Sequence, residues 1–148
     1  MDCFADKILI DKSGERSRAQ DVLGNKLTYI LLFASSKCKG IEELLDTLKT
    51  VYNESFKHRC GFEVILISSE KTQADFDFFF QTMNGPWYAL PFEEETALQS
   101  HAIEIRGRFA ITYIPYIIVL KPDGTLVSKD AIKDLMTLGI NVIVAWTD

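Results

Sequence analysis

Two apolar runs separated by a helical stripe constrain this chain more than any other feature. Leu27-Thr28-Tyr29-Ile30-Leu31-Leu32-Phe33 is apolar except at Thr28, and Phe62-Glu63-Val64-Ile65-Leu66-Ile67-Ser68 forms a second such run. A continuous apolar run, rather than an alternating one, suits a strand buried on both faces at the centre of an α/β sheet. Between the runs, Ile41, Leu44, Leu45, Leu48, Val51, Tyr52 and Phe56 recur at helical spacing and make one apolar stripe. Glu42, Glu43, Asp46, Lys49 and Asn53 lie off it, and the two glutamates suit the first turn, where the helix dipole favours negative charge. A helix joining two buried strands implies parallel neighbours and a right-handed crossover.

The flanks are read in the same way. Lys7 to Ile10 is a short apolar run that ends in a turn at Asp11-Lys12-Ser13-Gly14, and Ser17 to Val22 fits one helical turn. Thr72, with Asp75 three residues on, marks the start of a helix as in a capping box. Phe76, Phe79, Phe80 and Met83 carry its apolar face, and Asn84-Gly85-Pro86 ends it. A third helix is expected from about Thr96 to Phe109, through Leu98, Ala102 and Ile105. Tyr116–Leu120 reads as a strand, Pro122-Asp123-Gly124 as a turn, and Thr125–Ser128 as the returning arm of a hairpin. Ala131–Leu138 is the last expected helix, stopped by Gly139. The expected order is βαβα, then α, a hairpin and a final α.

Length and charge narrow the function classes. At 148 residues, with 47% hydrophobic and 25% charged residues, the chain fits one globular α/β domain spanning 1–148. Its net charge of −5 argues against a nucleic-acid binder, which needs a basic face. No apolar run approaches the ~20 residues that span a bilayer, so no membrane partner is expected. Met1-Asp2-Cys3-Phe4-Ala5-Asp6 does not read as a signal peptide. Three widely spaced cysteines do not make a disulfide scaffold, so a reduced intracellular setting is expected.

Cys38 falls between the first buried strand and the long helix. Unpaired backbone N–H groups and the helix dipole stabilise a thiolate at a helix N-terminus. Lys37 and Lys39 flank it, so its pKa is expected below the free value of about 8.5. The alternative is an ordinary, partly buried and inert cysteine. His58 and His101, the only histidines, do not supply the ligands of a metal site. Phe76 to Phe80 reads as core, with Phe78 off the stripe. Glu93-Glu94-Glu95 reads as a solvated helix start, and Gly14, Gly24 and Gly107 form no phosphate-binding pattern. No cofactor is implied.

Four segments resemble the nucleoredoxin and tryparedoxin branch of the thioredoxin-like family, from about Leu27 to Trp146. Phe33-Ala34-Ser35-Ser36-Lys37-Cys38-Lys39-Gly40-Ile41 is similar to that branch's strand followed by Ser-Ala-x-Trp-Cys-Pro-Pro-Cys. Gly85-Pro86-Trp87-Tyr88-Ala89-Leu90-Pro91-Phe92 resembles its Pro-Trp-x-Ala-x-Pro-Phe segment. Phe109-Ala110-Ile111 with Ile114-Pro115 resembles the stretch that leads to its cis-proline. Lys121-Pro122-Asp123-Gly124 resembles its hairpin turn. The resemblance implies a thioredoxin-like fold, a central mixed β-sheet flanked by helices on both faces. It also implies protein-disulfide reduction as the ancestral activity. A cis Ile114–Pro115 bond facing Cys38 is expected on the same ground, although X–Pro bonds in general are mostly trans. The implied groove comprises Lys37, Lys39, Gly40, Ile41, Trp87, Ile114, Pro115 and Tyr116.

The departures decide what Cys38 can do. Lys37 stands for the branch's Trp, Lys39 and Gly40 for its two prolines, and Ile41 for its resolving cysteine. A dithiol reductase uses one thiolate to attack a substrate disulfide and a second thiol to release the mixed disulfide. Cys60 lies some 25 Å along the helix at ~1.5 Å per residue, too far to bridge to Cys38. The path of Cys3 is not set by sequence. Thioredoxins proper also bury a carboxylate in the strand before the motif, and Tyr29–Phe33 has none. Tyr116 stands where the family often has Thr. The first reading is therefore a monothiol redox regulator with little dithiol turnover, in which Cys38 is a residual nucleophile. Its partners would be protein thiols or disulfides, peptides of signalling proteins, or glutathione. The second is a redox-inactive peptide-binding module that uses the groove near Pro115. A monomer or weak dimer is expected, in the cytoplasm, with the nucleus as a second location.

Overall fold

The computed structural model describes Phe4 and residues 7–57, 61–92, 101–128 and 130–147. Seven strands form one mixed sheet: β1 (Ile8–Ile10), β2 (Arg16–Arg18), β3 (Thr28–Ala34), β4 (Phe62–Ser68), β5 (Tyr88–Ala89), β6 (Tyr116–Leu120) and β7 (Leu126–Ser128). Their spatial order is β2-β1-β5-β4-β3-β6-β7. The two apolar runs are the adjacent parallel strands β3 and β4, with Thr28 opposite Phe62 and Ala34 opposite Ser68. β6 lies antiparallel on the other side of β3. All seven residues of β3 are buried. Successive side chains point to opposite faces of the sheet. Ile30, Leu32 and Ala34 accordingly enter one core with Val64, Leu66 and Val119. Tyr29, Leu31 and Phe33 enter the other with Ile65, Ile67 and Ile118.

Helices cover both faces. The stripe helix, α2 (Ile41–Lys57), buries Ile41, Leu44, Leu45, Leu48, Val51 and Tyr52. Phe56, assigned to the same stripe, is instead 54% exposed. It stands at the last turn of the helix, edge-on to Tyr52. The capping signal at Thr72 holds: its hydroxyl accepts a hydrogen bond from the Asp75 amide, 3.1 Å, and α3 covers Gln73–Phe78. The helix then widens into a π turn at Phe79–Met83, with both phenylalanines buried.

Two expectations are corrected: the first helical turn starts at Ala19 rather than Ser17, and Ala131–Leu138 is not the last helix. Ser17 and Arg18 belong to a strand rather than to the helical turn expected over Ser17 to Val22. Arg16–Arg18 pairs with β1, and α1 begins at Ala19 and ends at Leu23. Tyr88–Ala89 is a strand, held by pairing to β4 on one side and β1 on the other. The third helix, α4, covers His101–Arg108, while residues 93–100, with Glu93–Glu95, lie outside the described residues. Beyond α5 (Ala131–Leu138), a 3-10 turn leads into α6 (Val142–Thr147), which buries Val142, Ile143 and Trp146. No helix among the described residues is long and apolar enough to cross a membrane.

Candidate functional site

The Cys38 turn leaves the sheet at the carboxyl end of β3. Pairing of Phe33 with Tyr116 brings Pro115, just before β6, to that same end. The Ile114–Pro115 peptide bond is cis.

Local hydrogen bonds shape the turn. The Cys38 amide donates to the Ser35 carbonyl (3.1 Å), and the Ile41 amide donates to the Cys38 carbonyl (3.3 Å). Gly40 has φ +75°, a left-handed conformation that suits glycine. Cys38 thus precedes the helix by three residues, and its own N–H is consumed by the turn. Lys37, Lys39 and Gly40 are exposed, whereas Cys38 is half-buried.

A residue absent from the sequence reading holds this turn in place. Glu70, just beyond β4, is 3% exposed, and its Oε1 accepts from the Ser36 amide at 2.6 Å. Burial pushes the Cys38 thiol pKa up. The backbone hydrogen bond at Ser35 opposes that rise, and the negative charge of Glu70 adds to it. This reverses the expected lowering. The two flanking lysines sit in solvent, where water and salt screen them, while the carboxylate sits inside. Tyr29–Phe33 lacks a carboxylate, but the site has one from the neighbouring strand's end. The available signal was topological: residues following the carboxyl ends of adjacent parallel strands converge on one site.

Beside Pro115 lies a cleft of about 370 Å³. Tyr113, Pro115 and Tyr116 form its aromatic and proline side, and Ala131 and Ile132 from α5 form its floor. Tyr113 and Tyr116 meet edge-to-face with ring centroids 5.3 Å apart, and Tyr113 is 65% exposed. Ile114, Pro115 and Tyr116 are among the residues that line it. Lys37, Lys39, Gly40, Ile41 and Trp87 are not among the described residues that do.

Two of those corrections have clear causes. Ile41, at the resolving-cysteine position, begins α2 and is only 4% exposed, packed into the core. Trp87 is fully buried, its Nε1–H donating to Asn84 Oδ1 at 2.7 Å and its ring meeting Tyr52 edge-on. It is a core residue under α2. Cys3, His58 and Cys60 lie outside the described residues. No cluster of three metal-ligating side chains occurs among the described residues.

Comparison with known proteins fits this geometry. A family model described as thioredoxin-like matches residues 25–126. The chain belongs to the thioredoxin-like family. Within that family its relatives include nucleoredoxin-like proteins and tryparedoxin. It is 25% identical to nucleoredoxin-like protein 1 of Homo sapiens over 97% of this chain and 66% of that protein. It is 31% identical to tryparedoxin of Trypanosoma brucei brucei, over 83% of this chain and 79% of that one. The structure of tryparedoxin from Trypanosoma brucei superposes with a TM-score of 0.77 at 25% identity, covering 97% of this chain and 93% of that one. The chain therefore spans just under two thirds of its human relative's length. Against the family pattern, the thioredoxin-like frame is present here with a single thiol at the motif.

Proposed function

We propose that this chain is a polypeptide-binding member of the family, in which the cleft at Pro115 recognises an extended segment of a protein partner. Dithiol disulfide reduction is absent in this reading. The observation that carries it is the pairing of an open aromatic cleft with a motif whose resolving position holds Ile41, packed into the core. An extended chain can offer backbone groups to a nearby strand end and one side chain to the pocket. Tyr113 and Tyr116 supply rigid aromatic contact area, the kind that concentrates binding energy.

The monothiol reading stands second, favoured by the partial exposure of Cys38. In it, the Cys38 thiolate attacks a partner's or glutathione's disulfide, forms a mixed disulfide and expels the other sulfur as thiolate. A raised thiol pKa leaves little thiolate at neutral pH, so this reaction is slow.

Insulin reduction and alkylation separate these readings. The wild type is expected to reduce insulin no faster than the dithiothreitol background. Peptide-resolved iodoacetamide labelling against pH is expected to give Cys38 a midpoint at or above that of free cysteine. Turnover by the wild type, or a midpoint below that of free cysteine, contradicts the binding-module reading.

A further inference from the structure

The opposite end of the sheet carries a second cleft, of about 480 Å³. It opens at the amino ends of β3, β4 and β5, away from Cys38. Glu63 on β4 forms part of its wall, and the aromatic residues Tyr52, Phe56 and Tyr88 also line it.

Glu63 is 3% exposed. Its Oε1 accepts from the Tyr52 hydroxyl at 2.9 Å and from the Val64 amide at 3.1 Å. Lys26 Nζ lies 3.6 Å from Oε2 and 5.8 Å from the centre of the Phe56 ring. That ammonium thus sits between a carboxylate and an aromatic face, each of which attracts a cation.

The remaining charges favour the same class of guest. The Lys12 ammonium is committed to two backbone carbonyls, those of Phe80 (2.8 Å) and Asn84 (2.7 Å). Asp11 adds a second carboxylate at the rim. Burial raises the pKa of Tyr88, and the negative charges of Glu63, Asp11 and Glu15 raise it further. The Tyr88 hydroxyl therefore lies in negative potential. An organic cation that takes the place of the Lys26 ammonium finds the same carboxylate and the rings that line the cleft.

We propose that this cleft binds an organic ammonium group between Glu63 and the rings of Tyr52, Phe56 and Tyr88, with Lys26 holding that seat in the free protein. The guest is either a free quaternary amine or a methylated lysine side chain of another protein.

The test uses the full chain and follows the amide NMR signals of Val64 and Tyr88. Two probes of nearly identical shape are choline and its uncharged analogue 3,3-dimethylbutan-1-ol. Choline is expected to give saturable shifts and the alcohol none. Lys26→Ala, which removes the resident cation, is expected to tighten choline binding by about tenfold. Phe56→Leu, at an exposed position, is expected to weaken it, and Glu63→Gln to abolish it. An acetylated, amidated trimethyllysine run in parallel assigns the source: tighter binding than choline indicates a protein side chain, and weaker binding a free amine. Equal binding of the alcohol, or no gain in Lys26→Ala, overturns the proposal. Should Glu63→Gln fail to fold, Phe56→Leu decides the aromatic contribution alone, and unchanged affinity there also overturns it.

Discussion

Glu70 and Cys38 set the chemistry at the scale of single residues. A buried carboxylate beside a thiol opposes thiolate formation, because two negative charges in a poorly solvated site repel. Glu70→Gln keeps an oxygen that can accept from the Ser36 amide and removes the charge. The variant is expected to lower the Cys38 pKa, seen as a shift of the alkylation profile to lower pH. An unchanged profile would assign the effect to burial alone. Ile41 belongs to the same scale. Ile41→Cys restores two-thiol spacing but removes core volume, which costs about 1–3 kcal/mol. Measurable insulin reduction is expected from that variant, at a rate limited by the raised Cys38 pKa.

At the scale of elements, local signals were strong wherever one principle acted alone. β3, α2 and β4 were legible because long runs with a single period leave little ambiguity. The cap at Thr72 was legible because capping is a side-chain to backbone event four residues long. Thr72→Ala is expected to cost about 1 kcal/mol in urea unfolding. β2 and β5 were not legible, since three and two residues carry no period and only their partners make them strands. The segment around Trp87 was recognisable as a motif, but a motif does not say which way a ring faces. Trp87 proves to be packed so closely over Gly85 that a Cβ there would collide with the indole. Gly85→Ala is accordingly expected to destabilise by about 1–3 kcal/mol, read as a lowered Tm with no effect at Cys38. For the candidate site, Pro115 and its neighbours followed from the family resemblance. Glu70, Tyr113 and the α5 floor did not, because they meet only through the sheet.

At the scale of the whole molecule, the two ends of the sheet carry two different buried carboxylates. Glu63 adds a pH dependence to stability. Burial raises its pKa above the unfolded value, outweighing the Tyr52 and Val64 hydrogen bonds and the Lys26 charge. A native carboxyl that holds its proton more tightly than the unfolded chain stabilises fully below the unfolded pKa, near 4.5. That contribution is lost as pH rises through the folded pKa. Glu63→Gln is uncharged at every pH, so its stability relative to the wild type is expected to improve between acidic and neutral pH. Urea unfolding at the two ends of that range measures it.

The central claim concerns the other end, where recognition by the cleft is separable from the thiol. Carboxymethylated lactalbumin, permanently unfolded and without free thiols, serves as a general extended chain. Its binding to the wild type, Cys38→Ser and Tyr113→Ala, each shown to be folded by circular dichroism, is the most direct measurement. Cys38→Ser is expected to bind as the wild type does, and Tyr113→Ala about tenfold more weakly. Loss of binding in Cys38→Ser, with Tyr113→Ala unaffected, would contradict the account.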